Sequence, residues 1–220
     1  MPQHGEGYVP PAPIRRRQEV EVFGNRFGRL YNDEVVFPSG AEGRYLRWQW
    51  NQQGVVVVPV GPSGLALVPS YRYPVGAPSL EFPRGGCEPD EDVQMAAARE
   101  LKEESGLTAI SVRTIGQIHT DTGLIETTAH VCLAVVQSPE TAQARPEETE
   151  SVAAPIWLPQ DRLLDGIRQG QITCAITMAA FAVAMAELDR PCPTVQSARD
   201  LSPGNCPDPT AQRADAAVTR

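Results

Sequence analysis

The sequence predicts a mixed α/β (α+β) fold, in which an N-terminal antiparallel β-meander precedes a larger domain of strands and helices. Three observations support this: short alternating strands separated by turn residues near the N-terminus, a continuous β-branched run at 54–60, and apolar helical patterns later in the chain. A β-branched run without alternation is typical of a strand buried on both faces. Such a sheet needs helices on both sides.

Turn signals set the order of the elements. The strand at 54–60 pairs with a strand at 65–68 across a Gly-Pro-Ser-Gly turn. A helix follows near residue 90. Beyond it the pattern predicts strands at 111–119, at 129–136 and near 152–158, and then helices at 161–168 and 171–188.

Composition divides the chain into four segments. We expect a flexible N-terminus at 1–15, the meander at 16–50, the main domain at 51–189 and a flexible tail at 190–220. Both ends are rich in proline and small residues and lack hydrophobic periodicity, which is typical of segments without a core of their own.

Charge and cysteine usage narrow the class of protein. The formal net charge of −8 argues against nucleic acid or an anionic membrane as a partner. Five scattered cysteines without a C-x-x-C pair predict neither a disulfide framework nor a zinc site. With no signal peptide and no apolar run long enough to cross a bilayer, we expect a cytoplasmic protein without a membrane partner.

The most informative stretch begins at Gly85 and predicts a glycine turn, a short loop and a helix. Pro89 suits the first helical turn, and the three acidic residues after it complement the positive end of the helix dipole. Alanines and Leu101 favour the helix, and Gly106 is a good C-terminal stop.

Three carboxylates lie at the edge of the apolar stripe of this helix. At about 100° per residue, Glu100 and Glu104 fall on the same side as Leu101, and Glu103 lies beside them. Repulsion and desolvation would disfavour this cluster unless a cation compensates, and oxygen ligands suit Mg²⁺. The alternative is an acidic surface helix in which Arg99 pairs with Glu103.

The full spacing, G-x5-E-x7-R-E-U-x-E-E-x-G-U with U apolar, decides between these interpretations. A chance match at one start point is roughly a one-in-a-billion event. The pattern resembles the signature box of the Nudix hydrolases, without substitution. It is filled by Gly85, Glu91, Arg99, Glu100, Leu101, Glu103, Glu104, Gly106 and Leu107.

The resemblance implies a Nudix-type α/β/α sandwich with a mixed sheet, and metal-dependent hydrolysis of a nucleoside diphosphate linked to another group. It implies Mg²⁺ as the cofactor, with Mn²⁺ as an alternative. Glu100 and Glu104 resemble the principal metal ligands, assisted by Glu103 and the carbonyl group of Arg84. Glu91 resembles a residue that orients Arg99, and Gly85 and Gly106 have structural roles in the box.

The flanking sequences resemble the ADP-ribose and nucleotide-sugar pyrophosphatase branch of the family, over about residues 20–186. The resemblance rests on the predicted strands of the N-terminal meander, here called the leader strands, and on three motifs: G-V-V-V-V-P-V, Y-R-Y and L-E-F-P-R-G-G. In that branch two subunits exchange leader strands, so a homodimer is implied. Aromatic leader residues (Phe23, Phe27 or Tyr31) would then sandwich the base.

Two further residues are candidates for substrate contact, Arg72 because it resembles the substrate-binding arginine of that branch and Glu81 because of its position. Arg72 would reach the diphosphate or the distal sugar, and Glu81 points at the same pocket by alternation. A solvent-facing Arg72, and a salt bridge from Glu81 to Arg72 or Arg84, are the alternatives.

In this branch the catalytic base comes from a loop well after the box. Here the acidic segment 147–150 occupies that place, with Glu148 as the first candidate and Glu150 and Glu147 next; Glu103 is a further catalytic candidate. The base would deprotonate the attacking water.

At one position the chain departs from the branch. ADP-ribose-specific members have a proline in the loop after the strand that follows the box, whereas this chain has Thr122 before Gly123. Nucleotide sugars, NADH and diadenosine polyphosphates therefore stay open as substrates. A non-catalytic ligand sensor is the rival class, but sensors usually have an eroded box, so we expect an enzyme.

Overall fold

A computed structural model describes residues 9–137, 144–146, 148 and 150–189. Most of the predicted N-terminal segment and the whole of the predicted tail at 190–220 lie outside these residues. The elements are β1 Arg15–Gln18, β2 Glu21–Gly24, β3 Gly28–Val36, β4 Glu42–Trp50, β5 Gly54–Gly61, β6 Gly64–Arg72, β7 Ala77–Glu81, β8 Arg84–Gly86, α1 Val93–Ser105, β9 Ala109–His119, β10 Thr128–Val136, β11 Ile156–Leu158, α2 Gln160–Arg168 and α3 Ala175–Leu188.

A mixed sheet forms the centre of the main domain. Its order is β11-β6-β5-β10-β9, with β7 paired to β6 and β8 paired to β5. Strands β5 and β10 are parallel, and the other described pairs are antiparallel. Both β8 and α1 are thereby held next to the central strand β5, which gives the acidic helix a rigid support.

Alternate residues of β5 face opposite helical layers, because successive side chains of a strand point to opposite faces. Val56 and Val58 pack with Leu163 and Phe181 on the α2/α3 side. Val57 packs on the α1 side, in a cluster that includes Ala97 and Leu101. The β-branched run is therefore continuous because both faces are covered, and the predicted α/β/α sandwich is confirmed.

Helix α3 begins four residues later than predicted, at Ala175, and covers the sheet with a stripe of buried residues. Thr177, Ala180, Phe181 and Ala184 are buried, at the i, i+3, i+4, i+7 spacing of one helix face. Among the described residues, no helix has both the length and the apolar character needed to span a membrane.

The N-terminal sheet is antiparallel, as predicted, but it is not a simple meander. Strand β3 is central, with β4 along one edge and both β1 and β2 along the other. Asp33 explains this arrangement, because its buried carboxylate accepts the Val20 N–H at 3.0 Å where β1 gives way to β2. The two short strands therefore lie end to end on β3 and do not pair with each other.

The N-terminal sheet contacts the main domain through β4. The N–H of Trp48 donates to Leu124 O at 2.8 Å, and the N–H of Glu126 donates to Trp48 O at 2.9 Å. Arg47 binds both Asp33, at 2.6 Å, and Glu126. The loop between β9 and β10 is thus fixed to β4 by backbone and side-chain contacts.

Candidate active site

The loop before α1 ends differently from the prediction. Asp92 is the N-cap, and its side chain accepts the N–H groups of Gln94 and Met95. Pro89 therefore precedes the helix and does not lie in its first turn. The reason is local: Asp90 has φ +64°, a left-handed conformation that no helical turn can include. Gly106 ends the helix with φ +71°, as predicted.

Glu100 and Glu104 lie on the face of α1 that packs against β8. They are only 7% and 3% exposed. The Glu100 carboxylate lies so close to Gly85 that a Cβ at this position would be 2.1 Å from the carboxyl carbon. The backbone N–H of Arg84 donates to Glu104 Oε2 at 3.1 Å. Both carboxylates are therefore packed against the backbone of β8, and any side chain at position 85 would displace the Glu100 carboxylate from its place.

Arg99 connects the loop to the helix. Its guanidinium group binds Glu91 through two hydrogen bonds of 3.0 and 2.9 Å, and it also donates to Gly86 O at 2.8 Å. The same group contacts Glu100 at 2.8 Å and Glu103 at 3.0 Å. Arg99 thus holds the loop in place and partly neutralises two of the three clustered glutamates.

Burial gives the two inner glutamates unusual acidities. Desolvation raises the pKa of Glu100 to about 7, although Arg99 opposes the shift. Desolvation, followed by the negative charge of Glu150, raises the pKa of Glu104 to about 8. Without a cation, burial and the neighbouring carboxylates therefore disfavour the charged form of each glutamate more than the neighbouring donors favour it.

The donor set suits a hard divalent cation, but it is not assembled into a ligand group. Among the described residues, no three or more His, Cys, Asp or Glu side chains are arranged to hold a metal ion. Arg99 Nη1 contacts one oxygen of Glu100 and one oxygen of Glu103. Carboxylate oxygens with raised pKa values are nevertheless the ligands whose charge a divalent cation compensates.

The acidic loop after β10 reaches this cluster through Glu150. Next to it, Ser151 O accepts the N–H of Tyr71 at 2.8 Å, so this end of the loop is bound to β6. The charge of Glu150 contributes to the raised pKa values of both Glu100 and Glu104. Glu148, the first candidate from sequence, is exposed. Glu147 lies outside the described residues.

A second charged group lies beside the glutamates. Buried Glu81 binds Arg72 through hydrogen bonds of 3.2 and 2.8 Å, and Arg84 Nη2 lies 2.8 Å from the same carboxylate. This is the salt-bridge alternative considered for Glu81. Behind it, Thr177 of α3 accepts the N–H of Phe82 at 3.2 Å. Sequence analysis considered the Arg84 side chain only as an alternative partner of Glu81, and it assigned no role to Thr177, which belongs to no motif.

The aromatic leader residues lie apart from the box in the described contacts. Tyr31 is buried, with the Arg47 guanidinium carbon 3.8 Å from its ring centre. Phe23 and Phe27 are exposed on the N-terminal sheet. Their predicted contact with a base stays a prediction, and the packed Tyr31 is the least accessible of the three.

Comparison with known proteins identifies the family. A family model described as the NUDIX domain matches residues 50–174, which is more than half of the chain. The chain belongs to the Nudix family. This match includes the box and all of β5 to β11. Members of the family generally use a divalent metal ion, which agrees with the oxygen-rich cluster.

Two relatives and one solved structure place the chain within the family. It is 30% identical to the ADP-ribose pyrophosphatase of Bacillus subtilis over 115 residues, which are 52% of this chain and 62% of that protein. It is 26% identical to the methanol dehydrogenase activator of Bacillus methanolicus over 160 residues, 73% of this chain and 86% of that protein.

The structure of an ADP compounds hydrolase matches with a TM-score of 0.70 and 20% identity, covering 82% of this chain and 97% of that chain. At this identity the match supports the fold alone. Together the comparisons confirm the predicted family, fold and class, a hydrolase acting on pyrophosphate bonds.

The raised pKa values predict a pH-dependent stability of the metal-free protein. The folded state holds more protons than the unfolded state, so the free energy of unfolding should fall by about 6 kcal/mol as pH rises from 5 to 8. The substitution Glu104→Gln should flatten this decline, and Mg²⁺ should reverse it in the unsubstituted chain. Urea unfolding in a chelator at several pH values measures the effect.

Glu42→Gln is the matched control, because that side chain is 70% exposed. It should leave the pH dependence unchanged. A stability of the unsubstituted, chelated protein that is constant or rises between pH 5 and pH 8 would contradict the account of the buried pair.

Proposed function

We propose that the chain is a Mg²⁺-dependent Nudix hydrolase that cleaves the diphosphate bond of a nucleoside diphosphate derivative of the ADP-ribose or nucleotide-sugar type. The products are a nucleoside monophosphate and a phosphorylated second product. The observation that carries the proposal is the buried pair of glutamates, Glu100 and Glu104, packed against Gly85 and the Arg84 backbone.

Glu100 and Glu104 would hold the metal ion, with Glu103 and the carbonyl oxygen of Arg84 as further ligands. The first three lie on one side of α1, and Arg84 is already bonded to Glu104 through its N–H. Arg99 contacts one oxygen each of Glu100 and Glu103, so the second oxygen of each carboxylate would be the one offered to the metal ion. Bound Mg²⁺ or Mn²⁺ would supply Lewis-acid stabilisation of phosphate charge.

Glu150 is the better candidate for the general base. Its charge acts on both buried glutamates, and the adjoining backbone is bound to β6. A base must lie within hydrogen-bond reach of the attacking water, directly or through one further water. Glu148 stays a candidate but lacks a described contact with the cluster. This ordering reverses the one based on sequence.

The substrate class rests on the relatives and on the flanking motifs. The Bacillus subtilis relative is named an ADP-ribose pyrophosphatase. Thr122 and Gly123, where ADP-ribose-specific members have a proline, keep nucleotide sugars and dinucleotides such as NADH or diadenosine polyphosphates as alternatives. The methanol dehydrogenase activator shows that a relative can have a name that does not describe hydrolysis. A non-catalytic ligand sensor is therefore the second candidate.

A homodimer is proposed because the N-terminal sheet exposes a set of apolar side chains. They are Val22, Phe23, Phe27, Leu46 and Trp50, each 46–54% exposed. Phe27 lies in the turn between β2 and β3, and the other four lie on β2 and β4. Exposed apolar side chains alone are common on protein surfaces. The further support for a dimer is the branch that the flanking motifs resemble, in which the N-terminal strands are exchanged between two subunits.

The hydrolysis proposal predicts that phosphate is released in an assay with Mg²⁺ and a coupled phosphatase. The panel of substrates contains ADP-ribose, nucleotide sugars, NADH and diadenosine polyphosphate. Glu104→Gln should lower the rate at least about 100-fold, because it removes a ligand charge from the metal site. Lys102→Gln, an exposed change on the same helix, is the control. Binding of these compounds without turnover would instead support the sensor.

The base assignment predicts different effects for two neighbouring substitutions. Glu150→Gln should lower kcat by about 10²- to 10⁴-fold, the usual contribution of a general base, while Mg²⁺ affinity persists. Glu148→Gln should change kcat only a few-fold, since that side chain is exposed. The reverse order of effects would restore Glu148 as the base.

The dimer proposal predicts that sedimentation equilibrium gives twice the mass of 23.8 kDa at micromolar concentration. Phe23→Ser should shift the equilibrium towards monomer, because it removes apolar surface from the N-terminal sheet. Tyr73→Ser, at a side chain that is 89% exposed in the turn between β6 and β7, should leave the mass unchanged. A monomer at all concentrations would overturn the proposal.

A further inference from the structure

Two guanidinium groups share one buried carboxylate beside the glutamate cluster. Arg72 donates to Glu81 Oε1 at 3.2 Å and to Oε2 at 2.8 Å. Arg84 Nη2 lies 2.8 Å from the same Oε2 atom. Glu81 comes from the end of β7, Arg72 from the end of β6 and Arg84 from the start of β8. We call Arg72 and Arg84 the arginine pair, and Glu81 is the carboxylate that they share.

The charges of this group do not balance. The Glu81 carboxylate already forms a bidentate salt bridge with Arg72, the strongest geometry for a pair of these two side chains. The guanidinium of Arg84 adds a second positive charge at the same oxygen. Taken by itself, the group therefore has a net charge of +1 in a partly buried position, and Glu104 is the acidic side chain beside it.

The arginine pair remains accessible, whereas its carboxylate is buried. The side chains of Arg72 and Arg84 are 33% and 23% exposed, against 3% for Glu81. In the described contacts, the Glu81 carboxylate accepts hydrogen bonds from two N–H groups of Arg72 and lies close to one nitrogen of Arg84. A guanidinium has five N–H donors in a planar fork that matches phosphate oxygens.

The position of Arg84 connects this group to the glutamates. Its backbone N–H binds Glu104 at 3.1 Å, while its side chain binds Glu81. Burial lowers the pKa of Arg72, but its hydrogen bonds to Glu81 and the charge of Glu81 raise it above the usual value, and the charge of Glu104 raises it further. An anion on the arginine pair would therefore lie next to the carboxylates that hold the metal in the proposed function.

We propose that the side chain of Arg84, together with Arg72, binds the diphosphate of the substrate, and that Glu81 is a positioning residue that fixes both arginines. This inference rests on the proposed function. It assigns to the side chain of Arg84 a role in recognising the diphosphate that is separate from its backbone contact with Glu104. Glu81 itself does not contact the substrate.

The first test measures binding of α,β-methylene-ADP, a diphosphate that cannot be hydrolysed at the bridging position, by calorimetry with Mg²⁺. Arg84→Ala keeps the backbone groups of residue 84 and should weaken binding about 10- to 100-fold, the usual value of a charged hydrogen bond. Mg²⁺ affinity and the melting temperature should change little, because Arg72 still pairs with Glu81. Arg84→Lys should restore part of the affinity.

Arg168→Ala is the matched control, since it removes an arginine whose side chain is 71% exposed and pairs with Asp165. It should leave binding unchanged. Inorganic pyrophosphate is the second probe, because it contains the diphosphate without the base. Unchanged affinity of Arg84→Ala for both probes, or an equal loss of Mg²⁺ affinity, would overturn the inference.

The failure of this inference can be told apart from failure of the proposed function. Pyrophosphate binding that depends on Arg84, in a chain that hydrolyses nothing in the panel, would support the inference and overturn hydrolysis. Hydrolysis with a KM that is unchanged in Arg84→Ala would do the opposite. If both hold, KM should rise about 10- to 100-fold with kcat nearly constant, as expected for a contact made equally in ground state and transition state.

The role of Glu81 has its own test. Glu81→Gln keeps the size of the side chain but removes the negative charge that holds the two arginines in position. Affinity for pyrophosphate should therefore fall. If Glu81 merely neutralised the arginines, the same change would strengthen pyrophosphate binding, because the local charge would become more positive. Stronger binding would therefore overturn the positioning role.

Discussion

The packing of two glutamates against the backbone of β8 is the constraint on which the rest of the active site depends. Glu100 and Glu104 can be buried there because Gly85 has no side chain and because the Arg84 N–H is free to donate. Strand β8 stays in place because it pairs with the central strand β5. The stability of the sheet is thereby used to hold two carboxylates where burial disfavours their charge.

The α/β/α sandwich and the bounds of α1 near its C-terminus could be predicted because each has a local cause. The run of valines in β5 predicts a strand that is buried on both faces, and Gly106 predicts the left-handed residue at which α1 ends. The prediction of the first turn of α1 was wrong because two local signals in the sequence competed. Pro89 favours a first turn, but Asp90 adopts a left-handed conformation, so Asp92 becomes the cap.

Contacts between distant segments could not be predicted from local patterns. The arrangement of β1 and β2 depends on the hydrogen bond from Val20 to Asp33, and the choice between Glu150 and Glu148 depends on how the loop binds β6. Both are set by tertiary packing. In the same way, the salt-bridge alternative for Glu81 was visible in the sequence, but only the geometry shows that two arginines share it.

The active site therefore combines two groups of opposite and unbalanced charge. On α1, buried glutamates exceed the positive charge that Arg99 supplies, which favours a cation. At the ends of β6 to β8, two arginines exceed the charge of Glu81, which favours an anion. In the proposed function, a complex of a divalent cation with a diphosphate would satisfy both at once. An uncharged ligand would balance neither half.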